Sequence, residues 1–295
     1  MDSILGSISA GPVTTAGIRI VIAGQEKMGK TTLGSGAPGA LIVPLEVGYA
    51  GVQTPKTKML QTFAEVNYLV DEITYWAGQN SFPPMWTVGP DGKRTLIFDS
   101  ATALERHIHD AIIQRDPAYK PGGNKVITME SCHGGYGKGY NLANDEFDSF
   151  LAKLDILAVK HGINIVLTCH VFSSKVMDPT AGEYDSWDLL LHSPKNQKTY
   201  GKRERIAQWA DIVGFLYEPV FVSQDTGMVK AMSQGKGRVL GLSRTPNYMA
   251  GNRFGISGEV PIPAPAKENG SGKDGWNTFA NELYKSRGID IFNRQ

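Results

Sequence analysis

The sequence predicts an α/β fold: a mostly parallel central sheet flanked by helices, extended on one side by antiparallel strands. Three observations predict it. Short apolar, β-branched runs such as Ile18–Ala23 and Ile163–Thr168 read as strands buried on both faces, as in parallel sheets. Segments with apolar residues at helical spacing separate such runs, which is the alternation of a βαβ chain. Toward the end, Ile212–Tyr217, Phe221–Ser223, Val229–Met232 and Val239–Ser243 follow one another too closely for helical crossovers, hence the antiparallel extension.

The elements follow in order. Ile18–Ala23 ends at a glycine-rich turn, and a helix from Lys30 is cut short by Gly34, Gly36 and Pro38. Leu41–Leu45 is the next strand, and its Pro44 places it at a sheet edge or a strand end. Phe63, Val66, Leu69, Val70 and Ile73 mark Thr62–Trp76 as a helix. Trp86–Val88 and Thr95–Phe98, joined through Gly89–Gly92, read as a hairpin that feeds a core strand. Ala101–Gln114 reads as a helix and Tyr119–Tyr140 as an irregular glycine-rich loop. Leu142–Lys160 is an amphipathic helix stopped by Gly162, and Ile163–Thr168 is a strand. A second long loop is expected over roughly 172–202, followed by a short helix Arg203–Trp209 and the closing strands. The organisation expected is a flexible segment 1–16, a core domain 17–245, and an extension 246–295 with a late helix near Trp276–Lys285.

Bulk properties narrow the function classes. The chain has 295 residues, 41% of them hydrophobic and 20% charged, as in an ordinary globular protein. A net charge of +1 removes any global basic signal, so nucleic-acid contact must be local. The longest apolar runs fall far short of a membrane span, and no membrane association is expected. The N-terminus lacks the charge and apolar core of a signal peptide. Cys132 and Cys169 are far apart and read as free thiols of a reducing compartment, which points to the cytoplasm.

One motif carries chemistry. Gly24-Gln25-Glu26-Lys27-Met28-Gly29-Lys30-Thr31, followed by Thr32, fits the phosphate-binding pattern GxxxxGK[ST]. Its glycines let backbone N–H groups wrap phosphate, Lys30 reaches the terminal phosphates, and the Thr31 hydroxyl binds magnesium. ATP or ADP with magnesium is therefore the expected ligand. A carboxylate on a neighbouring strand should complete the metal shell, and Asp99 closes Thr95–Phe98 at the edge where sheet sites form. The same Asp could instead cap the next helix. Glu46, beyond Leu41–Leu45, is placed to orient or deprotonate the attacking water, though a strand-end Glu is often only solvated. His170 closes Ile163–Thr168 in the same way and is placed to contact the terminal phosphate.

The order of these parts resembles RecA-type ATPases. It is most similar to the compact RecA-like ATP-binding recombination proteins of bacteriophages, which work beside single-strand-binding proteins in annealing DNA. The stretches that carry the resemblance are Leu41–Gly48, Thr95–Ser100, Gly134–Tyr140, Gly162–His170, Trp209–Val213 and Leu242–Pro246, spanning about 18–255. The resemblance implies a RecA-like core in which Lys30 and Thr31 take phosphate and magnesium. Asp99 would serve the metal shell, Glu46 would be the catalytic base and His170 the phosphate sensor. Pro44 stands where such proteins often carry an acid.

Two loops are the expected DNA contacts. The first offers Lys120, Lys125, Tyr136, Lys138 and Tyr140, and aromatics between lysines suit base stacking with phosphate neutralisation. The second ends in Lys195, Lys198, Lys202 and Arg203. Charged loops are commonly just solvated; RecA-like proteins use loops at these two places for single-stranded DNA. The resemblance also implies a homo-oligomer, ring or filament, with the nucleotide between subunits and an arginine from the neighbour completing the site. Arg244 and Arg253 are the candidates. The function expected is a slow, DNA-stimulated ATPase of phage recombination, annealing or replication in the host cytoplasm, working beside a single-strand-binding protein. The alternatives are a ring helicase or helicase loader, and an ATP-sensing adaptor with little hydrolysis.

Overall fold

The structure, a computed structural model, describes residues 16–288 except 50, 90–91, 124–125, 181, 195–200, 226–227, 234–236 and 269. In chain order the elements are β1 (Arg19–Ala23), α1 (Lys30–Ser35), β2 (Ala40–Pro44), α2 (Phe63–Gly78), β3 (Thr95–Asp99), α3 (Ala101–Gln114), α4 (Lys138–His161), β4 (Asn164–Cys169), β5 (Val171–Asp178) and β6 (Gly182–Leu189). Then come α5 (Lys202–Trp209), β7 (Ile212–Tyr217), β8 (Val220–Asp225), β9 (Met228–Ser233), β10 (Arg238–Gly241), β11 (Gly251–Asn252), β12 (Glu259–Ile262) and α6 (Lys273–Arg287).

The central sheet runs β12-β10-β7-β1-β4-β3-β2, with β11 also paired to β7. Neighbours from β7 through β2 are parallel. β10, β11 and β12 join antiparallel. The alternation of side chains along each strand divides the core into two layers. Val21 and Ala23 of β1 face one layer with Phe63, Phe98, Phe147 and Phe150, where α2, α3 and α4 pack. Ile20 and Ile22 face the other, with Leu33, Trp276, Phe279 and Leu283, where α1 and α6 pack. Helices on both faces of a parallel sheet make the three-layer α/β core that the periodicities predict.

Local chemistry explains the boundaries. The Thr62 side chain accepts from the Glu65 N–H to start α2, and Ser100 accepts from Ala103 N–H to start α3. α4 stops at Gly162 in the left-handed region. β2 is the sheet edge, where the missing N–H of Pro44 leaves no ladder gap. Residues 55–60 cover that edge, with Ile42 N–H donating to Pro55 O and Thr57 N–H to Ile42 O. α1 spans six residues and ends at Gly36, which passes so close to Gly272 that the Gly272 carbonyl oxygen would lie 2.3 Å from any Cβ there.

Three expectations need correction. Trp86–Val88 forms no strand; Trp86 is buried instead, its indole N–H donating to Gly39 O, and the turn closes through Gly89 N–H to Lys93 O. The second loop is largely a β-hairpin, β5 paired with β6 from Val171↔Leu189 to Asp178↔Gly182. Its residues are mostly half-buried or exposed, so the apolar signal that marks core strands is weak. α4 starts at Lys138, inside the glycine-rich segment, while the described residues of 119–137 are irregular apart from a 3-10 turn at Cys132–Gly134. Beyond Thr245, β11 and β12 extend the main sheet and α6 seals the face over α1.

Candidate nucleotide site

Parallel strands bring their C-terminal ends to one edge, and chemistry-bearing residues gather there. Residues 24–29 turn from β1 into α1, so Lys30 and Thr31 open the helix. Lys30 is 6% exposed, and its Nζ donates to Gly24 O and Gln25 O, both at 2.8 Å. Burial lowers the Lys30 pKa against the raising influence of Asp99 and Glu46. The loop carbonyls thus satisfy a desolvated ammonium that a phosphate would otherwise take.

Asp99 ends β3, two strands from β1. It is buried and accepts from Thr31 Oγ1 at 2.8 Å and Thr168 Oγ1 at 2.5 Å. Thr168 belongs to β4, the strand between, and holds the carboxylate toward α1. A hydroxyl and a carboxylate side by side are hard oxygen donors. They fit magnesium, which takes one or two protein ligands and fills its shell from phosphate and water. Thr168 belongs to no motif in the sequence; its place two residues before His170, on a strand that ends at the same edge, is the signal that marks it.

Glu46 follows β2, whose pairing continues through Leu45 N–H to Asp99 O. Its Oε1 lies 2.7 Å from both Ser100 Oγ and His170 Nε2, and its Oε2 is 2.9 Å from Arg106 Nη2. Burial would raise the Glu46 pKa. The bonds from His170 and Ser100, with the charges of His170 and Arg106, outweigh it and hold the carboxyl at about 2. Glu46 and His170, placed by sequence at strand ends on one sheet edge, are in direct contact although β3 lies between their strands. Ser100 and Arg106, on the turn and helix after Asp99, are partners the sequence did not announce. The His170 N–H is fixed by Thr102 Oγ1, and its Nδ1 has no hydrogen-bond partner among the described residues.

The expected DNA residues differ in exposure. Lys120 and Lys138 are exposed and Tyr136 fully so. Tyr140 is half-buried and stacks on His192, centroids 3.9 Å apart. Lys125, Lys195 and Lys198 lie outside the described residues. Lys202 corrects the expectation of a DNA contact: its side chain is 0% exposed, 3.5 Å from Glu105 Oε1 and 3.0 Å from His109 Nε2. The first turn of α5 aims it at α3 rather than at solvent. Burial, with the charge of Lys202, holds the His109 pKa at about 3, leaving a neutral imidazole to accept from the ammonium. Arg203 pairs with Asp188 at 2.7 Å and Glu204 at 3.0 Å.

The two candidate arginines part company. Arg244 is exposed and lines a cleft of about 270 Å³ with Tyr184, Asp188 and Tyr248. Arg253 bonds to Asp211 at 3.0 Å and to the Gln208 carbonyl. Asp211 also holds Arg19, at the start of β1, so this pair sits at the N-terminal edge of the sheet, away from the phosphate loop.

A family model described as an AAA domain matches residues 16–254, which takes in the phosphate loop, Asp99, Glu46 and His170. No curated protein matches the sequence.

Proposed function

The chain belongs to the AAA domain family of P-loop ATPases, and from that premise we propose that it hydrolyses ATP with magnesium while acting on single-stranded DNA. The observation that carries the reading is the meeting of Lys30, Thr31, Asp99, Glu46 and His170 at one sheet edge. In this reading the loop amides and Lys30 hold the β- and γ-phosphates. Thr31 and Asp99 hold magnesium, with Thr168 fixing the Asp99 carboxylate. Magnesium, when bound, neutralises charge on the phosphate oxygens. Glu46 orients the attacking water, and His170 reads the γ-phosphate and passes its presence to β5, which begins at the next residue.

The order of parts, like that of phage RecA-like recombination proteins, supports a role in phage recombination, annealing or replication. In that role a homo-oligomer would work beside a single-strand-binding protein. Arg244, exposed and unburdened by the cis ion pair that holds Arg253, is the better trans-acting arginine. Lys120, Tyr136 and Lys138 are the better DNA contacts. Hydrolysis is slow in isolation because three donors hold Glu46 as a weakly basic carboxylate. That clamp also favours a second reading, an ATP-sensing adaptor that scarcely turns over. Steady-state ATP turnover with and without single-stranded DNA separates the two. Stimulation supports the first, and bound but unhydrolysed ATP in both conditions supports the second.

A further inference from the structure

β10 is antiparallel to β7 with Val239 opposite Tyr217, while β1 reaches only Phe215 of the same strand. Its first residue, Arg238, therefore stands beyond the C-terminal edge, over the phosphate loop. Its Nη1 donates to Met28 O at 3.0 Å and its Nη2 to Pro263 O at 3.0 Å, just past β12. Gly29, at φ 89°, leaves the space the guanidinium fills; a Cβ there would lie 2.1 Å from Nη1. Among the described residues no carboxylate lies within ion-pair reach of Arg238, and burial pushes its pKa down.

We infer that Arg238 is a positioning residue for nucleotide binding, holding the Met28 carbonyl so that the Gly29 amide faces the anion. A trans peptide points its C=O and N–H in opposite directions, so fixing one fixes the other. With the Met28 carbonyl drawn toward β10, the Gly29 N–H turns to the inner side of the loop, beside the amides that open α1. The charge adds to this. A guanidinium bonded to neutral carbonyls keeps its field for an incoming anion. Pro263 fixes the second arm, which ties the loop to the segment leading into α6. The chemistry served is the diphosphate common to ATP, ADP and pyrophosphate, and the inference rests on the phosphate-loop reading.

The test is binding of ADP and of inorganic pyrophosphate to wild type and Arg238→Ala by calorimetry, with the melting temperature of each ligand-free protein. Loss of a bond to a charged donor predicts both affinities falling together by roughly ten- to a hundredfold. The KM for ATP rises by a similar factor while kcat changes less, the mark of lost uniform binding. A purely structural role would lower the melting temperature and leave the folded protein's affinities intact. A folded Arg238→Ala protein with affinities within about twofold of wild type would overturn the inference. Should the alanine variant not fold, Arg238→Gln, without the charge, carries the same prediction and the same refutation. Absence of binding by wild type would overturn the phosphate-loop reading itself and this inference with it, which tells the two failures apart.

Discussion

At the scale of single residues, the site is a set of donors around two carboxylates. Asp99 holds hydroxyls from two other elements, whereas Glu46 is clamped by Ser100, His170 and Arg106. Glu46→Gln keeps size and most hydrogen bonding but cannot carry the charge, so ATP should still bind while turnover falls by roughly a hundredfold or more. Single-turnover hydrolysis beside equilibrium binding checks this; turnover near wild type would place the base elsewhere. The clamp also has a pH signature. A carboxyl held below its unfolded value contributes stability at neutral pH that is lost as pH falls from about 4.5 to about 2. Denaturant titrations should therefore show the stability gap between wild type and Glu46→Gln closing across that window, and a gap independent of pH would contradict the clamp.

At the scale of elements, α5 docks on α3 through a buried charge. Lys202→Met should cost about 3–5 kcal/mol because it strands Glu105, and Glu105→Leu added to it should recover much of that loss. Chemical denaturation of both variants measures it, and additive losses would refute the pairing. This element also shows what the sequence conveyed. The phosphate loop, the lone strands β1, β3 and β4, and the helices α2 and α3 were legible because apolar spacing and caps are local signals. The edge that carries the candidate site followed from them, since parallel strands must end together. The β5–β6 hairpin was not legible, because its strands are half-exposed and lack an apolar face. Nor was Lys202 distinguishable from the surface lysines near it; its fate was decided by Glu105, 97 positions earlier in the chain. Arg238 was one of several basic residues until β10 took its register on β7.

At the scale of the whole molecule, the question is whether one chain suffices for catalysis. If Arg244 completes a neighbour's site, turnover rises more steeply than linearly with protein concentration during assembly. Arg244→Ala then loses on the order of a thousandfold in turnover with little change in ATP binding. Mixing Arg244→Ala with Glu46→Gln restores part of the activity, because some interfaces pair an intact Glu46 with an intact arginine. No rescue despite proven co-assembly would remove the trans arginine. Beneath all of this lies the phosphate loop itself, and the most direct measurement is magnesium-dependent ATP hydrolysis by wild type and Lys30→Ala, each with and without single-stranded DNA. Wild type should turn over ATP, faster with DNA, while Lys30→Ala stays folded and inactive in both conditions. Equal turnover by the two proteins, or no response of wild type to DNA, would contradict the account.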